Sequence, residues 1–314
     1  MTIFEFKKDA IARLSASCNK SVTHSPALDV EILLCHFLKV NKTKLLLNAK
    51  EEIDEEKLQL LNEAINKRLN GLPIAYITNT KEFYGYDFYV DESVLIPKPD
   101  TEILVEEAVN LILEKMDAHP SKLLTICDMC TGSGCIALAT LKTLIDTYNI
   151  PLNELPKFNL VDISQKALEV AKKNAKALLN NEELDLVRFT LSNLFDAVPL
   201  SFDIILTNPP YIPHSLVDEL LQDGRHEPRL ALDGDIDLNG DAAIDINNNK
   251  RDDGLEIINN LLPQAQSHLA PGGTILMEAG EYNIEKASSF ANKIGFRSEI
   301  YKDLEGQLRV AKYY

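Results

Sequence analysis

The chain has 314 residues, and its 32 Lys and Arg against 48 Asp and Glu give a formal net charge of −16. The acidic balance argues against a protein that grips a nucleic-acid backbone, because such proteins neutralise phosphates with Lys and Arg. No apolar run approaches the ~18–20 residues that span a bilayer, and the N-terminus lacks the apolar core of a signal peptide. We therefore expect a cytoplasmic protein with no membrane partner and no direct nucleic-acid partner.

The charge is unevenly distributed along the chain. Residues 1–80 have a net charge of +1, and residues 81–314 have a net charge of −17. Residues 233–253 alone contribute −5. A length near 300 residues suggests about two domains, so the asymmetry indicates a near-neutral module followed by an acidic one.

The N-terminal part is predicted to be helical. Ser25 before Pro26 indicates an N-cap followed by proline at the first helical position. Asp54 can cap a second helix, which Gly71 would stop. The apolar stripe of that helix is formed by Leu58, Leu61, Ile65 and Leu69. No residue pattern there suggests chemistry, so residues 1–72 are interpreted as a helical domain for partner recognition.

Residues 73–100 change character. The aromatic-rich run at 83–90 predicts strands, and we expect a β-hairpin that links two domains. Pro97 and Pro99 would close this segment. Asp100 or Thr101 can then cap the next helix.

Residues 101–314 alternate between strand and helix patterns. This alternation predicts an α/β fold with a mostly parallel, Rossmann-like sheet covered by helices on both faces. The predicted strands are 123–127, 158–161, 186–191, 202–206, 274–277, 296–301 and 308–312, the last two as an antiparallel pair. In such sheets ligands bind beyond the carboxyl ends of the strands.

A glycine turn lies between the first of these strands and its helix. It runs Asp128-Met-Cys-Thr-Gly-Ser-Gly134, where glycine permits close approach of a ligand and the helix N-terminus offers free N–H groups. Ile136 and Ala137 occupy the region of the third glycine of a dinucleotide motif, so that motif is absent. A purely structural tight turn remains the alternative.

The same segment holds three of the five cysteines. Their spacing, Cys127-x2-Cys130-x4-Cys135, is compatible with a metal site. A strand position for Cys127 and a helix position for Cys135 instead favour small buried residues, since the three need not converge.

Two polar features follow other strands. Asp162 ends the second strand, where a carboxylate can accept hydrogen bonds from ribose hydroxyls; it could alternatively cap a helix. Asn208-Pro-Pro-Tyr211 ends the fourth strand, and its two prolines remove backbone donors and stiffen the loop. The side-chain oxygen of Asn208 and the carbonyl of Pro209 then face outward as acceptors.

These residues together resemble the class I S-adenosylmethionine-dependent methyltransferases with an Asn-Pro-Pro-Tyr motif, and among them the HemK/PrmC family of release-factor glutamine methyltransferases. The resemblance covers nearly the whole chain. It rests on the segments 71–77, 82–88, 94–102, 128–138, 162–164, 208–212, 226–232, 295–296 and 303–306. Asn-Pro-Pro-Tyr alone is shared with methyltransferases that act on exocyclic amines of DNA or RNA bases, which is the alternative function.

The resemblance implies the substrate and the roles of the site residues. The methyl group would go from S-adenosylmethionine to the side-chain amide nitrogen (N5) of the glutamine in the Gly-Gly-Gln motif of peptide chain release factors. Catalytic and substrate-binding roles are implied for Asn208, Pro209 and Tyr211, with Pro210 also in the substrate site. Cofactor-binding roles are implied for Cys130, Thr131, Gly132, Ser133, Gly134, Asp162, Asn193, Leu194 and Asn208.

Three further points follow from the resemblance. The family commonly has Asp where Asn193 stands, and Asn keeps an acceptor oxygen for the adenine amine. Thr101 and Glu102 would line the entrance to the site. No metal is expected in catalysis, since the transferred methyl already carries a good leaving group.

The resemblance does not account for the acidic insert at 233–253. Its Asp237, Asn239, Asp241 and Asp245 have offsets similar to those of a calcium loop. No register supplies the closing bidentate Glu, so the alternatives are weak calcium binding and a solvated loop.

Overall fold

The computed structural model describes residues 1–17, 25–222, 226–236, 243, 252–303 and 305–314. They form two units, Met1–Thr80 with Asp218–His226 and Lys81–Val217 with Glu227–Tyr314. Across those described ranges, no helix has the length and apolar character that crossing a membrane requires.

The first unit is helical. Its elements are α1 (Ile3–Ser15), α2 (Pro26–Leu38), α3 (Lys42–Leu47), α4 (Glu55–Leu69) and α5 (Ile74–Thr78). The predicted cap of α4 is confirmed, because the Asp54 side chain accepts a hydrogen bond from the Lys57 N–H. Leu61 and Ile65 of the predicted stripe are buried in the core of this unit. Ser25 occupies the N-cap position of α2, but its side chain makes no capping bond.

The aromatic run forms a short antiparallel hairpin at the start of the second unit, with β1 (Lys81–Phe83) paired to β2 (Tyr86–Phe88). Tyr84 and Gly85 turn the chain with φ angles of +52° and +80°. Phe83 and Phe88 are fully buried and pack edge to face, with ring centroids 6.0 Å apart. The strands are shorter than the aromatic run, because the turn interrupts the alternation.

The second unit is built on a seven-stranded sheet of order β5-β4-β3-β6-β7-β9-β8. The strands are β3 (Thr125–Met129), β4 (Lys157–Asp162), β5 (Val187–Leu191), β6 (Phe202–Thr207), β7 (Leu269–Glu278), β8 (Ser298–Lys302) and β9 (Leu308–Tyr313). The first five pair in parallel, and β9 is antiparallel to β7 and β8. The predicted sheet is therefore confirmed, and its strand order reverses between β3 and β6, which is where a ligand is expected.

Helices cover both faces of the sheet. Those of the second unit are α6 (Glu102–Ala118), α7 (Cys135–Asp146), α8 (Gln165–Leu178), α9 (Asn181–Leu184), α11 (Glu256–Ser267) and α12 (Ile284–Lys293), whereas α10 (His214–Gln222) has residues in both units. Ile204 and Leu206 belong to a core shared with α6, α7 and α8, whereas Ile205 belongs to a second core with α11 and α12. Successive residues of β6 thus point to opposite cores, which explains the apolar run at 204–206.

Two local predictions differ in part from the structure. Thr101 ends a 3₁₀ turn (Pro99–Thr101) and occupies the N-cap position of α6 as predicted, but its side chain makes no capping bond. Asp100 pairs with Arg309 at 3.3 Å. The predicted strand at 274–277 was too short, because β7 begins at Leu269. A register shift opposite Phe202 lets the pairing continue past the glycines at 272 and 273.

Candidate active site

The glycine turn after β3 has a left-handed backbone conformation at three positions. Cys130, Gly132 and Gly134 have φ angles of +59°, +55° and +80°. A Cβ at Gly134 would lie 3.1–3.2 Å from side-chain atoms of Leu138, Leu160 and Ala171, so glycine is also needed there for packing. Because glycine permits these φ angles and this close packing, the turn lies against β4 and its backbone lines the edge of the sheet.

Asp162 ties this turn to the next strand. Its Oδ2 accepts a hydrogen bond from the Gly132 N–H at 2.9 Å, and its Oδ1 accepts one from the Ser164 N–H at 2.8 Å. Burial raises the pKa of Asp162, and these backbone donors oppose that rise. The N-cap of α8 is Ser164, which accepts from the Ala167 N–H. The helix-cap alternative for Asp162 is therefore wrong.

Asp128 is a buried carboxylate beneath the same turn, and the sequence patterns did not single it out as a site residue. Its Oδ2 accepts hydrogen bonds from the Thr131 hydroxyl at 2.6 Å and from the Ala137 N–H at 3.4 Å. Its Oδ1 is buried, and no described residue donates a hydrogen bond to it. Burial raises the pKa of Asp128 to about 7.

Asn174 fixes the turn from the opposite side. This buried amide donates to the Ser133 carbonyl at 2.8 Å and to the Tyr89 carbonyl at 3.0 Å, and it accepts from the Tyr89 N–H at 2.7 Å. Sequence reasoning missed it, because Asn174 lies inside helix α8, 41 residues from Ser133.

Asn193 and Leu194 follow β5, the neighbour of β4. The Asn193 side chain donates to Asp196 at 3.0 Å, which leaves its oxygen as an available acceptor. Leu194 has a φ of +44° and packs, like Cys130, against the core that contains Phe195. The order of strands thus brings these two residues to the same edge as Asp162.

The Asn-Pro-Pro-Tyr loop follows β6, on the other side of β3. The Asn208 Nδ2 donates to the Thr101 hydroxyl at 3.4 Å. The Tyr211 hydroxyl donates to Glu278 at 3.1 Å. Within the described ranges, the Pro209 carbonyl and the Asn208 Oδ1 accept no hydrogen bond, so both acceptors are available to a substrate. Thr101 is buried, and the expectation that it lines the entrance is wrong.

The backbone of Tyr211 is packed tightly against two glycines. A Cβ at Gly254 would lie 2.0 Å from the Tyr211 carbonyl oxygen, and a Cβ at Gly234 would lie 2.8 Å from its Cα. Asn283 donates to the same carbonyl at 2.8 Å. The Asp235 carboxylate accepts from the Gly254 N–H at 2.6 Å and so holds the two ends of the acidic insert together.

Three buried polar atoms that have no hydrogen-bond partner in the described part of the chain lie on adjacent strands. They are Asp128 Oδ1 on β3, Thr207 Oγ1 at the end of β6 and Glu278 Oε2 at the end of β7. The register pairs Met129 with Thr207, and Thr207 with Met277. Buried polar atoms normally have partners, so this edge of the sheet suits a polar ligand of the size of a nucleoside cofactor together with a substrate.

The calcium residues suggested by the insert, Asp237, Asn239, Asp241 and Asp245, lie outside the described residues. Within the described ones, no three His, Cys, Asp or Glu side chains are arranged to hold a metal ion. The described cysteines are unpaired. Burial raises the pKa of Cys127 well above its ordinary value and that of Cys135 to about 12, which keeps both as thiols.

Comparison with known proteins gives matches along the chain. The model of the PrmC N-terminal domain matches residues 9–78, and that of the methyltransferase small domain matches residues 103–227. A release factor glutamine methyltransferase of Rhodopirellula baltica is 35% identical over 296 residues, which cover 93% of this chain and 90% of that protein. One of Leptospira interrogans is 36% identical, covering 91% and 90%.

The match to this chain covers different shares of two further proteins. A bifunctional methyltransferase of Rickettsia typhi is 31% identical, and the match covers 96% of this chain but 56% of that protein. Among solved structures, a methyltransferase of Pyrococcus furiosus has a TM-score of 0.45 at 17% identity, covering 83% and 98% of the two chains.

The strand order, the glycine turn with Asp162 and the methyltransferase match define a class I S-adenosylmethionine-dependent methyltransferase. Two relatives that are more than 30% identical over about nine-tenths of their length are both release factor glutamine methyltransferases, which narrows the class of methyltransferase. The chain belongs to the release factor glutamine methyltransferase family, which confirms the resemblance drawn from its motifs.

Proposed function

We propose that the chain transfers a methyl group from S-adenosylmethionine to the side-chain amide nitrogen of the glutamine in the Gly-Gly-Gln motif of peptide chain release factors. The observation that carries the proposal is the pair of acceptors on the Asn-Pro-Pro-Tyr loop, the Asn208 Oδ1 and the Pro209 carbonyl, in a chain of this family. A primary amide offers two N–H donors, and this pair of acceptors matches them.

Orientation is the main catalytic contribution of these residues. An amide nitrogen is a weak nucleophile, because its lone pair is delocalised into the carbonyl. Holding both N–H groups fixes the direction in which the nitrogen points, and orientation of this kind contributes up to roughly 7–11 kcal/mol in ideal cases. Tyr211 and Pro210 would border the amide plane. The bound cofactor supplies an electrophilic methyl group on a sulfonium with a neutral leaving group.

The residues at the neighbouring strand ends fit that cofactor. The backbone of 130–134 would face its amino-acid part, and the Asp162 carboxylate would accept from the ribose hydroxyls. The Asn193 oxygen and the Leu194 side chain would meet the adenine. Asp162 already accepts two backbone hydrogen bonds, which fixes the orientation of its carboxylate before a ligand binds.

The partner is a protein in this proposal. The net charge of −17 over residues 81–314 repels free nucleic acid and suits a basic protein surface. The near-neutral helical residues 1–72 would serve partner recognition, residues 73–100 would link the domains, and residues 101–314 would carry the methyltransferase chemistry. Since release factors act in translation, the expected location is the cytoplasm.

The test is a methyl-transfer assay with labelled S-adenosylmethionine. The purified chain is incubated with a release factor, with the same factor carrying Ala in place of the motif glutamine, and with DNA or RNA. We expect label on the unaltered factor alone, at the glutamine N5 by peptide mass spectrometry. Label on nucleic acid and not on the factor would establish the alternative, a base-amine methyltransferase.

A further inference from the structure

Glu278 is a buried carboxyl group at the end of β7, directly beside the Asn-Pro-Pro-Tyr loop. The parallel register pairs Thr207 with Met277, so Glu278 lies next to Asn208 on the adjacent strand. It is 2% exposed, and its Oε1 accepts the Tyr211 hydroxyl at 3.1 Å. Its Oε2 is buried and has no hydrogen-bond partner among the described residues. Burial of a carboxyl group that is incompletely hydrogen-bonded costs free energy.

Thr101 lies between Glu278 and the Asn208 amide. Its hydroxyl lowers the pKa of Glu278, as a donor beside an ionised carboxyl group does. The same hydroxyl accepts from the Asn208 Nδ2 at 3.4 Å. Thr101 is 2% exposed, so water does not compete for its hydroxyl. Glu278 therefore contacts Tyr211 directly, and Thr101 holds the Asn208 amide beside it.

The charged groups around Glu278 leave it without an ion-pair partner among the described residues. Arg309 on β9 pairs with Asp303 at 3.1 Å and with Asp100 at 3.3 Å. Burial raises the pKa of Glu278 to about 7, while Thr101, Arg309 and Tyr211 oppose the rise and Asp100 adds to it. Both protonation states are consequently accessible near neutral pH.

We infer that Glu278 is a positioning residue, whose ionised carboxylate sets the direction of the hydrogen bonds that orient Asn208 and Tyr211 for methyl transfer. The inference rests on the proposed function. An ionised carboxylate only accepts hydrogen bonds. Thr101 must then donate to it, which leaves the oxygen of Thr101 to accept from Asn208. The nitrogen end of the amide is thereby held inward, and the oxygen end faces the substrate.

Protonation of Glu278 removes the fixed donor-to-acceptor direction of these hydrogen bonds. A protonated carboxyl group can donate to Thr101, whose hydroxyl is then free to donate to Asn208. The Asn208 amide can turn its oxygen to Thr101 and present its NH2 to the NH2 group of the substrate, which is a mismatch of two donors. Methyl transfer should therefore be lost as the pH falls through the pKa of Glu278.

The experiment compares Glu278→Gln with a matched surface change. Glu299→Gln is the control, since Glu299 accepts the Tyr314 hydroxyl at 3.0 Å on the exposed face of β8. For Glu278→Gln we expect a fall of about tenfold or more in kcat for release-factor methylation, because misorientation reduces turnover. The affinity for S-adenosylmethionine should stay within about twofold, because Glu278 acts on the orientation of the loop and not on the binding of the cofactor. The control should match the unaltered chain in both.

A pH profile and a second pair of variants complete the test. The kcat of the unaltered chain should rise with pH through about 7, and the Glu278→Gln profile should be flat there. Thr101→Val should lower kcat, and Thr101→Ser should restore it; these variants decide the matter if Glu278→Gln does not fold. Unchanged kcat and pH profile in Glu278→Gln, or equal kcat in the two Thr101 variants, would overturn the inference. Absence of release-factor methylation by the unaltered chain would instead refute the proposed function.

Discussion

The Asp162 carboxylate at the end of β4 accepts a hydrogen bond from the Gly132 N–H, at a distance of 2.9 Å. The bond joins the glycine turn after β3 to the neighbouring strand. The turn therefore depends on a carboxylate that lies 30 residues further along the chain. The Asp162 carboxylate thus has two roles. It shapes the turn and, in the proposed function, it accepts hydrogen bonds from the cofactor ribose.

Replacement of Asp162 by Ala should weaken binding of S-adenosylmethionine by about ten- to a hundredfold, since hydrogen bonds to charged groups contribute ~1.5–3 kcal/mol. Calorimetric titration with the cofactor measures this directly. Asp162→Asn should fall between, because it keeps one acceptor oxygen. Exposed Asp117→Ala on α6 is the control and should bind as the unaltered chain does. Equal affinity in Asp162→Ala and the control would contradict the assigned role.

Gly254→Ala should disturb the catalytic loop through its backbone. The new Cβ would lie 2.0 Å from the Tyr211 carbonyl oxygen, at a φ of +71°. Either the loop moves or the fold weakens, so we expect kcat to fall by about tenfold or more. The measurement is methyl transfer together with urea unfolding.

Gly272→Ala separates backbone strain from the clash at Gly254. Its φ is similar, at +75°, but no atom lies within 4 Å of the added Cβ. We expect a loss of about 1–2 kcal/mol in the free energy of unfolding, from the left-handed backbone alone. The kcat should stay unchanged. If the two variants lose the same activity, close packing on Tyr211 is not the cause.

Asn208→Ala should abolish most turnover while the cofactor still binds. Removing the Oδ1 acceptor leaves one N–H of the substrate amide unheld, and losing one orienting contact typically lowers kcat by about a hundredfold or more. Kinetics with a release factor measure kcat, and calorimetry measures the cofactor affinity. Exposed Asn260→Ala on α11 should behave as the unaltered chain. Near-normal turnover in Asn208→Ala would contradict the proposed orientation mechanism.

The sequence predicts those parts of the fold that local patterns determine. Residues 204–206 form an apolar run that is typical of a parallel strand, and the Asn-Pro-Pro-Tyr segment follows one residue later. The glycine turn at 128–134 has its own local signal. These patterns are sufficient for the sheet, its helices and the two loops that face the ligand edge.

The remaining residues of the site depend on contacts between distant parts of the chain. Thr101 occupies the N-cap position that its place near a helix start predicts, but its hydroxyl contacts Asn208, 107 residues further along the chain, which no local pattern shows. Asn174 lies within helix α8, and no local sequence pattern indicates a role for an amide there. Glu278 had one local signal, a single acid at the end of the apolar strand residues 275–277. Strand register was needed to show which loop it meets.

The first unit should depend strongly on one buried ion pair. The Arg68 Nε lies 2.7 Å from the Asp29 Oδ2, and both side chains are about nine-tenths buried. Asp29→Ala leaves a buried guanidinium without its carboxylate, which costs about 3–5 kcal/mol. Hydrogen exchange of α2 and α4 should accelerate accordingly.

The exposed pair Asp9 and Arg13 offers the matched comparison, with 3.7 Å between the charged atoms. Asp9→Ala should change the free energy of unfolding by less than about 1 kcal/mol, as expected for surface pairs. Similar exchange rates in the Asp9→Ala and Asp29→Ala variants would show that burial of the Asp29–Arg68 pair adds nothing.

Stability of the free chain should depend on pH through Asp128. Burial raises its pKa to about 7, above the value near 3.8 of an exposed Asp. Between these values the folded state holds a proton that the unfolded state has released. The contribution of Asp128 to stability therefore falls as the pH rises through this window, and the loss is complete above about 7.

Asp128→Asn removes the ionisation and keeps an acceptor for Thr131. Relative to the unaltered chain, this variant should gain roughly 2–3 kcal/mol in the free energy of unfolding between about pH 5 and pH 8. Urea unfolding without cofactor at the two pH values gives the difference. Because Glu278 titrates in both proteins, subtraction isolates Asp128. Exposed Asp87→Asn should show a pH-independent difference, and the same behaviour in Asp128→Asn would mean that Asp128 is ionised in the folded chain throughout this range.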